Sequence, residues 1–549
     1  MKRVLPYILL ALAGFFAVRP LVSPGFFPMH DDTQVARVIE MGRALRDFQF
    51  PVRWVNELGY GYGYPIFNFY GPLPYYFGGL LYAVGVPAVL ATKIMFAAGI
   101  LLPALLVTLL IELPYGLLAG VLFLFAPYHA VQIYVRGAVG EYWSLVFFPL
   151  IAYWITGWGK PATKKSAAAG AIGIGGVILS HTLMGFAVTI FVGCSFVLYR
   201  MVRYLRNRDR LRETLSASVP LLLGMGLAGF FWLPAMFEMQ FTGVSGQVSA
   251  SADYKDHFVC ITQLYASLWG FGGSAKGCVD GMSFMVGKAH LLLGFAGLVT
   301  ALVLRPKRMA GLIGVAVAAA FVGVLFATEA SKWLWDSIPG FAYLQYPWRF
   351  LGILMFGTSL LGSFAMLPVK NAVAKWAATI AICVGVILLN GKWFMPQYTY
   401  EKPSTAFEAP SDVRWRVSKI SDEYLPRSVP RPDTPKEADF ATIEEGNGLS
   451  ARLLTKTTTR EVWSVIAAEE MPVRINKAPF PGWRYFIDDK EVRPTVKNGL
   501  PELTLAAGQS YITMRFTDTP IRVIGNGISL VSLIIFIYYL YAKQHKTKR

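Results

Sequence analysis

Long apolar runs separated by short clusters of arginine and lysine dominate this chain, and they leave it few folds. Thirteen such runs fall at about 5–24, 73–90, 93–111, 114–132, 141–158, 166–180, 182–199, 216–235, 288–304, 310–328, 349–367, 376–394 and 521–541. Several reach the roughly 17–25 residues that cross a bilayer, and the shorter ones need a partner helix or a tight turn. With 55% hydrophobic residues, 15% charged residues and a mean hydropathy of +0.47, the pattern predicts a polytopic α-helical membrane protein of about 12–13 spans and excludes an ordinary soluble domain.

The formal charge of +18 does not point to nucleic acid, because the cations sit where membrane topology places them. Met1-Lys2-Arg3, Arg200 to Arg212, Arg305-Pro306-Lys307-Arg308, Lys370 to Lys375 and Lys543 to Arg549 all mark run ends, as the positive-inside rule expects of cytoplasmic loops. From Lys160 onward the alternation puts 236–287, 329–348 and 396–520 on the extracytoplasmic side. Before residue 160 five runs stand where an even number is required, so one early run does not cross. The weakest are 73–90, rich in glycine and proline, and 93–132, interrupted by Pro103, Pro114 and Pro127. No small-residue cleavage pattern follows Val18-Arg19-Pro20, so the N-terminus reads as a retained anchor helix.

Three regions result. Residues 1–395 form the membrane body with a first loop at 25–72 and a loop at 236–287; 396–520 form an extracytoplasmic β-rich domain; 521–549 carry the final helix and a basic cytoplasmic tail. Alternation in Ser450 to Lys456, Glu461 to Ala467, Pro472 to Ala478 and Tyr511 to Phe516, with turns at Pro481-Gly482 and Asn498-Gly499, predicts a β-sandwich-like unit. The stretch 400–440 reads as a linker or an irregular lid. Cys260 and Cys278 share one loop, where a disulfide and two free thiols are both open readings.

The first loop carries the most informative residues. In MHDDTQVARVIEMG, Asp31 followed by Gln34 fits a helix capping box. Capping uses one carboxylate and leaves Asp32, beside His30, for proton abstraction or for a divalent metal such as Mg or Mn held by Asp31 and Asp32. Residues 33–47 have the spacing of an amphipathic helix lying in the membrane interface. Arg53 and the run from Gly59 to Pro72, with Tyr64, Asn68 and Tyr70, predict an ordered irregular loop, either an aromatic belt or a platform for a sugar or polyprenyl chain. Arg136, Glu141, His181, Glu238 and Arg349 are ionisable groups flanked by apolar sequence, a costly setting that marks them as functional candidates, with an ion pair and a packing histidine as the structural alternatives. No GxxxxGK[ST], HExxH, Cys-x-x-Cys or His-x-His occurs, so nucleotide, zinc-protease and dithiol chemistry have no signature here.

The blocks HDDTQVARVIEMGRALRDFQFPVRWVNELGYGYGYPIFNFYGPLPYY, APYHAVQIYVRGAVGEYWSLVFFPL, LSHTLMGF, WLPAMFE, LWGFGGSAKGCVDGMSFMVGKAHLLLG, YPWRFLG, DEYLPRSV and FPGWRYFIDDKEV resemble a bacterial membrane-protein family labelled 6-pyruvoyl-tetrahydropterin synthase-related, close to the YfhO-type proteins. The zinc-binding histidines of the synthase are absent. The family is similar to the C-type glycosyltransferase superfamily, which implies a multi-span body, an acidic pair in the first extracytoplasmic loop and a polyprenyl-phosphate-sugar donor. On that resemblance Asp31 or Asp32 is the base or a metal ligand, although the adjacent carboxylates depart from the usual Asp-x-Asp. Arg136 and Arg349 suit the donor phosphate, and His30, Arg53, Tyr64, Asn68, Tyr70, Glu141, His181 and Glu238 are candidates for the substrate site. The expected partners are membrane lipids, that donor and a glycan, glycolipid or protein acceptor at the bacterial cytoplasmic membrane. A transporter or flippase of lipid-linked sugars, and a non-catalytic envelope scaffold, are the other classes the residues admit.

Overall fold

The computed structural model describes residues 4–158, 163–206, 211–244, 253–338, 340–446 and 448–541. The basic clusters at residues 1–3 and 543–549, and parts of those at 159–165 and 200–212, lie outside them. Among the described residues six helices are long and apolar enough to cross a membrane: Leu5–Val22, Ala88–Leu110, Thr182–Leu205, Lys307–Ala327, Ala372–Trp393 and Pro520–Tyr541. Two bent pairs, Tyr115–Leu124 with Pro127–Val135 at 47° and Ala217–Leu227 with Gly229–Phe241 at 63°, raise the number to eight if each is one span. Lys288–Leu304 is a shorter apolar helix.

The other predicted runs are shorter or broken. The run at 73–90 yields the helix Leu73–Ala83, 11 residues, which at 1.5 Å per residue covers about half of a bilayer core. The run at 141–158 divides into Val139–Ser144 and Phe148–Thr156. The run at 349–367 becomes Leu351–Phe364, buried at every residue among the helices that surround it.

The bend before Pro127 frees carbonyl groups that an apolar interior must satisfy. Asn390 Nδ2 donates to the Phe125 carbonyl at 3.0 Å, and His290 Nε2 lies 2.6 Å from the Leu122 carbonyl. Distant helices are thereby tied to the break.

The C-terminal unit is built of β1 (Leu449–Lys456), β2 (Arg460–Ala467), β3 (Met471–Arg474), β4 (Trp483–Ile487), β5 (Lys490–Val492), β6 (Thr495–Lys497), β7 (Leu500–Leu505) and β8 (Gly508–Phe516). One sheet runs β1-β2-β8-β4-β5 and the other β3-β7-β6, with every pairing antiparallel. Trp463, Val465, Ile512 and Met514 of the first sheet share a core with Val473, Leu503 and Leu505 of the second, the packing of a sandwich.

The first loop is wedged between this unit and the membrane body. Its helix, Gln34–Arg46, was expected to lie in the membrane interface, yet Val35, Arg37, Val38, Ile39 and Glu40 are all buried. The amphipathic period is real, but both faces meet protein. Most of the aromatic run is packed inside protein and forms no belt: Tyr60, Tyr62, Tyr64, Phe67 and Phe69 are buried, and Tyr70 is half-buried. Gly59, Gly61 and Gly63 all have positive φ, a conformation in which glycine avoids the cost of a side chain, and a Cβ on Gly63 would strike the Trp54 indole.

Trp54 is the wedge's anchor, fully buried against Phe480, Trp483 and Phe516 with ring centroids at 6.1, 5.4 and 5.4 Å. The stretch 400–440 is an ordered cover laid on the first loop. Tyr400 pairs with Phe26, Arg414 Nε meets Glu57 at 2.6 Å, and Arg416 meets Asp32 at 2.7 Å. Replacing Trp54 with alanine is expected to cost about 3–5 kcal/mol, read as a fall in unfolding temperature of the detergent-solubilised protein.

Candidate functional site

Asp31 is brought into the interior by two backbone hydrogen bonds. His30 N–H donates to the Val135 carbonyl and Asp31 N–H to the Arg136 carbonyl, each at 3.0 Å. The capping box expected of Asp31 and Gln34 does not form. Thr33 is the N-cap and its side chain makes no capping bond, while Gln34 donates to the Gly137 carbonyl at 2.8 Å and accepts from the Tyr75 hydroxyl at 2.6 Å.

The two neighbouring carboxylates have different surroundings. Asp32 is held by Arg416 of the cover at 2.7 Å. The Asp31 carboxylate makes no hydrogen bond or ion pair among the described residues, although it lies in the field of Arg37, Arg136, His30 and Arg349. Burial pushes its carboxyl above the ordinary value and those cations oppose the shift. For Asp32 burial acts the same way, with Arg416 the leading opposing charge.

The surrounding cations are fixed by their own partners. Arg136 pairs with Glu141 at 2.9 Å and stacks over Trp348 at 4.1 Å. Arg349 Nε lies 3.8 Å from the same Glu141 carboxylate, and another of its nitrogens donates to the Leu344 carbonyl. Glu141 also accepts from Tyr128 at 3.1 Å and Gln132 at 2.9 Å. Arg37 donates to Ser421 at 2.9 Å and lies over the Tyr70 ring at 4.2 Å. One carboxylate thus serves two arginines, and their remaining charge faces Asp31.

His30 is exposed, with Nε2 3.0 Å from the Phe271 carbonyl, inside the loop that the Cys260–Cys278 disulfide closes. His181 caps the start of Thr182–Leu205, its Nδ1 accepting from Met184 N–H at 3.1 Å, and its ring lies in the field of Arg349, Glu141 and Arg136.

Arg53, Asn68 and Glu238 belong to a different network. Arg53 donates to Asn68 at 3.0 Å and to Asn526 at 2.8 Å, and Asn68 donates to Glu238 at 2.8 Å. Glu238 also accepts from Thr519 at 2.6 Å and pairs with the fully buried Arg522 at 2.9 Å. These groups fasten the first loop to the helix Pro520–Tyr541, and both Glu238 carboxylate oxygens accept hydrogen bonds. The Tyr64 ring is buried, and its hydroxyl accepts from Tyr424 N–H at 3.1 Å.

A divalent metal does not fit the acidic pair. Asp32 is engaged by Arg416, and no group of three or more His, Cys, Asp or Glu side chains converges among the described residues. Sequence reasoning missed Arg37, Arg416 and Glu423. Arg37 has the helical phase of a solvent-facing position, and the other two lie in the cover, where no spacing rule links them to the first loop.

An apolar groove of about 560 Å³ opens in the membrane body, lined by Phe148, Ile155, Phe191, Val322, Ile353 and Phe356 among others. Ile353 and Phe356 follow Arg349 by four and seven residues, the spacing of one helix face.

A family model described as 6-pyruvoyl-tetrahydropterin synthase related domain, membrane protein, matches residues 67–399. An uncharacterized protein of Lactococcus lactis subsp. cremoris (strain MG1363) is 27% identical over 251 residues, which cover 43% of this chain and 40% of that protein. No solved structure matches.

Two substitutions separate the networks. Glu238→Ala strands Arg522 and is expected to cost about 3–5 kcal/mol. Asp32→Asn breaks a partly exposed pair and is expected to cost about 1 kcal/mol or less. Thermal unfolding of the two variants checks the order.

Proposed function

This chain belongs to the membrane-protein family described as 6-pyruvoyl-tetrahydropterin synthase related, and from that premise we propose that it is a glycosyltransferase, moving a sugar from a polyprenyl-phosphate donor to a hydroxyl of a cell-envelope glycan, lipid or protein. The observation that carries this reading is the unpaired Asp31 carboxylate facing Arg37, Arg136 and Arg349. The reaction belongs on the extracytoplasmic side of the bacterial cytoplasmic membrane, where the positive-inside pattern puts the first loop.

In this reaction the acceptor oxygen attacks the anomeric carbon and the bond from that carbon to the phosphate oxygen breaks. The bonding pair leaves with polyprenyl phosphate, and the acceptor proton passes to Asp31. A base without a counter-ion and with a raised pKa is suited to that proton. The departing phosphate gains charge, which the guanidinium groups of Arg136 and Arg349 stabilise through charge-assisted hydrogen bonds. The apolar groove of the membrane body suits the polyprenyl chain. Buried tyrosines and the cover keep bulk water from competing with the acceptor.

One observation favours a transport reading: the two bent helix pairs are of the discontinuous kind that transporters use. Nanodisc-embedded protein supplied with polyprenyl-phosphate sugars and envelope acceptors separates the two. Transfer is expected from the wild type. Asp31→Asn is expected to lower it by about 10²–10⁴-fold, and Asp32→Asn to keep most of it. Because Asp31 must be ionised, kcat/KM is expected to rise with pH through a pKa above the ordinary aspartate range. Unchanged transfer by Asp31→Asn removes the base, and donor movement across the bilayer without transfer establishes transport.

A further inference from the structure

The chemistry above uses Asp31 and leaves a second carboxylate without a task. Glu423 comes from the cover and is linked through Ser421 to Arg37, whose charge also acts on Asp31. It accepts a hydrogen bond from Ser421 Oγ at 3.1 Å and one from its own backbone N–H, and Ser421 Oγ also accepts from Arg37 at 2.9 Å. It makes no ion pair among the described residues. Burial raises its carboxyl and Arg37 is the leading opposing charge. Around Arg37, two carboxylates from two distant segments stand without direct counter-ions.

Phenol rings complete the arrangement. Tyr70 lies against Arg37 and in the field of both Asp31 and Glu423. Tyr424 stacks on Phe69 with ring centroids 5.2 Å apart, and its hydroxyl lies in the field of Arg37 and Arg349. A phosphate alone would be repelled by the two acids. A ring bearing several hydroxyls satisfies them, since each O–H donates a charge-assisted hydrogen bond to a carboxylate and aromatic faces receive the apolar side of the ring.

We propose that Glu423 reads the sugar being transferred, its carboxylate accepting hydrogen bonds from the ring hydroxyls of the donor while the donor's phosphate lies at Arg136 and Arg349. The inference rests on the transferase reading and adds a division of labour: the membrane body binds the lipid phosphate, and the cover selects the sugar.

The test is equilibrium binding to full-length protein in nanodiscs. The probes are undecaprenyl phosphate and its glucosyl, galactosyl, mannosyl and N-acetylglucosaminyl derivatives. Wild type is expected to bind at least one sugar-bearing probe about tenfold or more tightly than the bare phosphate. Glu423→Gln and Glu423→Ala are expected to erase that increment and to leave bare-phosphate binding unchanged, which also reports that both variants fold. Variants that keep the increment overturn the proposal, as do variants that lose bare-phosphate binding to the same degree. Equal binding of all probes by wild type overturns it while leaving the lipid-phosphate site in place, and no binding of any probe removes both.

Discussion

Two backbone hydrogen bonds, from His30 and Asp31 to the carbonyls of Val135 and Arg136, hold the first loop against the bent helix pair of the membrane body. The charge arrangement follows from them. They carry Asp31 past the point where it could cap the helix Gln34–Arg46, and they bring it within the field of cations from three separate parts of the chain. Ionised carboxylates are costly to bury without a partner, so this placement demands that everything around it be fixed. The Glu141 carboxylate fixes two arginines, Ser421 and Tyr75 fix the third, and the cover takes Asp32 away on Arg416.

The contrast with the second network shows why burial and charge alone do not identify a site. Glu238 and Arg522 are as deeply buried as any group near Asp31, but each acceptor there meets a donor and nothing is left over. That is how a polar cluster fastens elements together. Near Asp31 the pairing is incomplete, and incomplete pairing is what a ligand can use. The cover joins the two halves because it lies on the first loop beside the β-sandwich, so that the C-terminal third of the chain reaches the surroundings of Asp31.

Much of the fold was legible from apolar period and punctuation. Lys288–Leu304 coincides with its predicted run, and the strands β1, β2 and β8 fall on the predicted alternation. The helix Gln34–Arg46 was misplaced because a 3.6-residue apolar stripe is the same whether its other face meets water or protein, and Arg37 and Glu40 looked solvent-bound for that reason. Arg136 and Arg349 were legible as charges in apolar surroundings, and Asp31 as one of an acidic pair in the first loop. Glu238 carried the same signal as the arginines, and only its partners' positions reveal a structural duty. Arg416 and Glu423 lie almost 400 residues from Asp31, a separation at which a single sequence carries no pairing information.

That Asp31 is half-buried without a direct counter-ion is tested most directly by the stability difference between wild type and Asp31→Asn measured against pH. A folded-state pKa raised above the unfolded value contributes stability in full below the unfolded pKa, and this is lost as pH rises through the folded pKa. The account predicts that the wild type's stability relative to the variant declines as pH climbs above the ordinary carboxyl range and then levels. A difference that grows with pH shows a carboxylate paired and stabilised in the fold, and contradicts it.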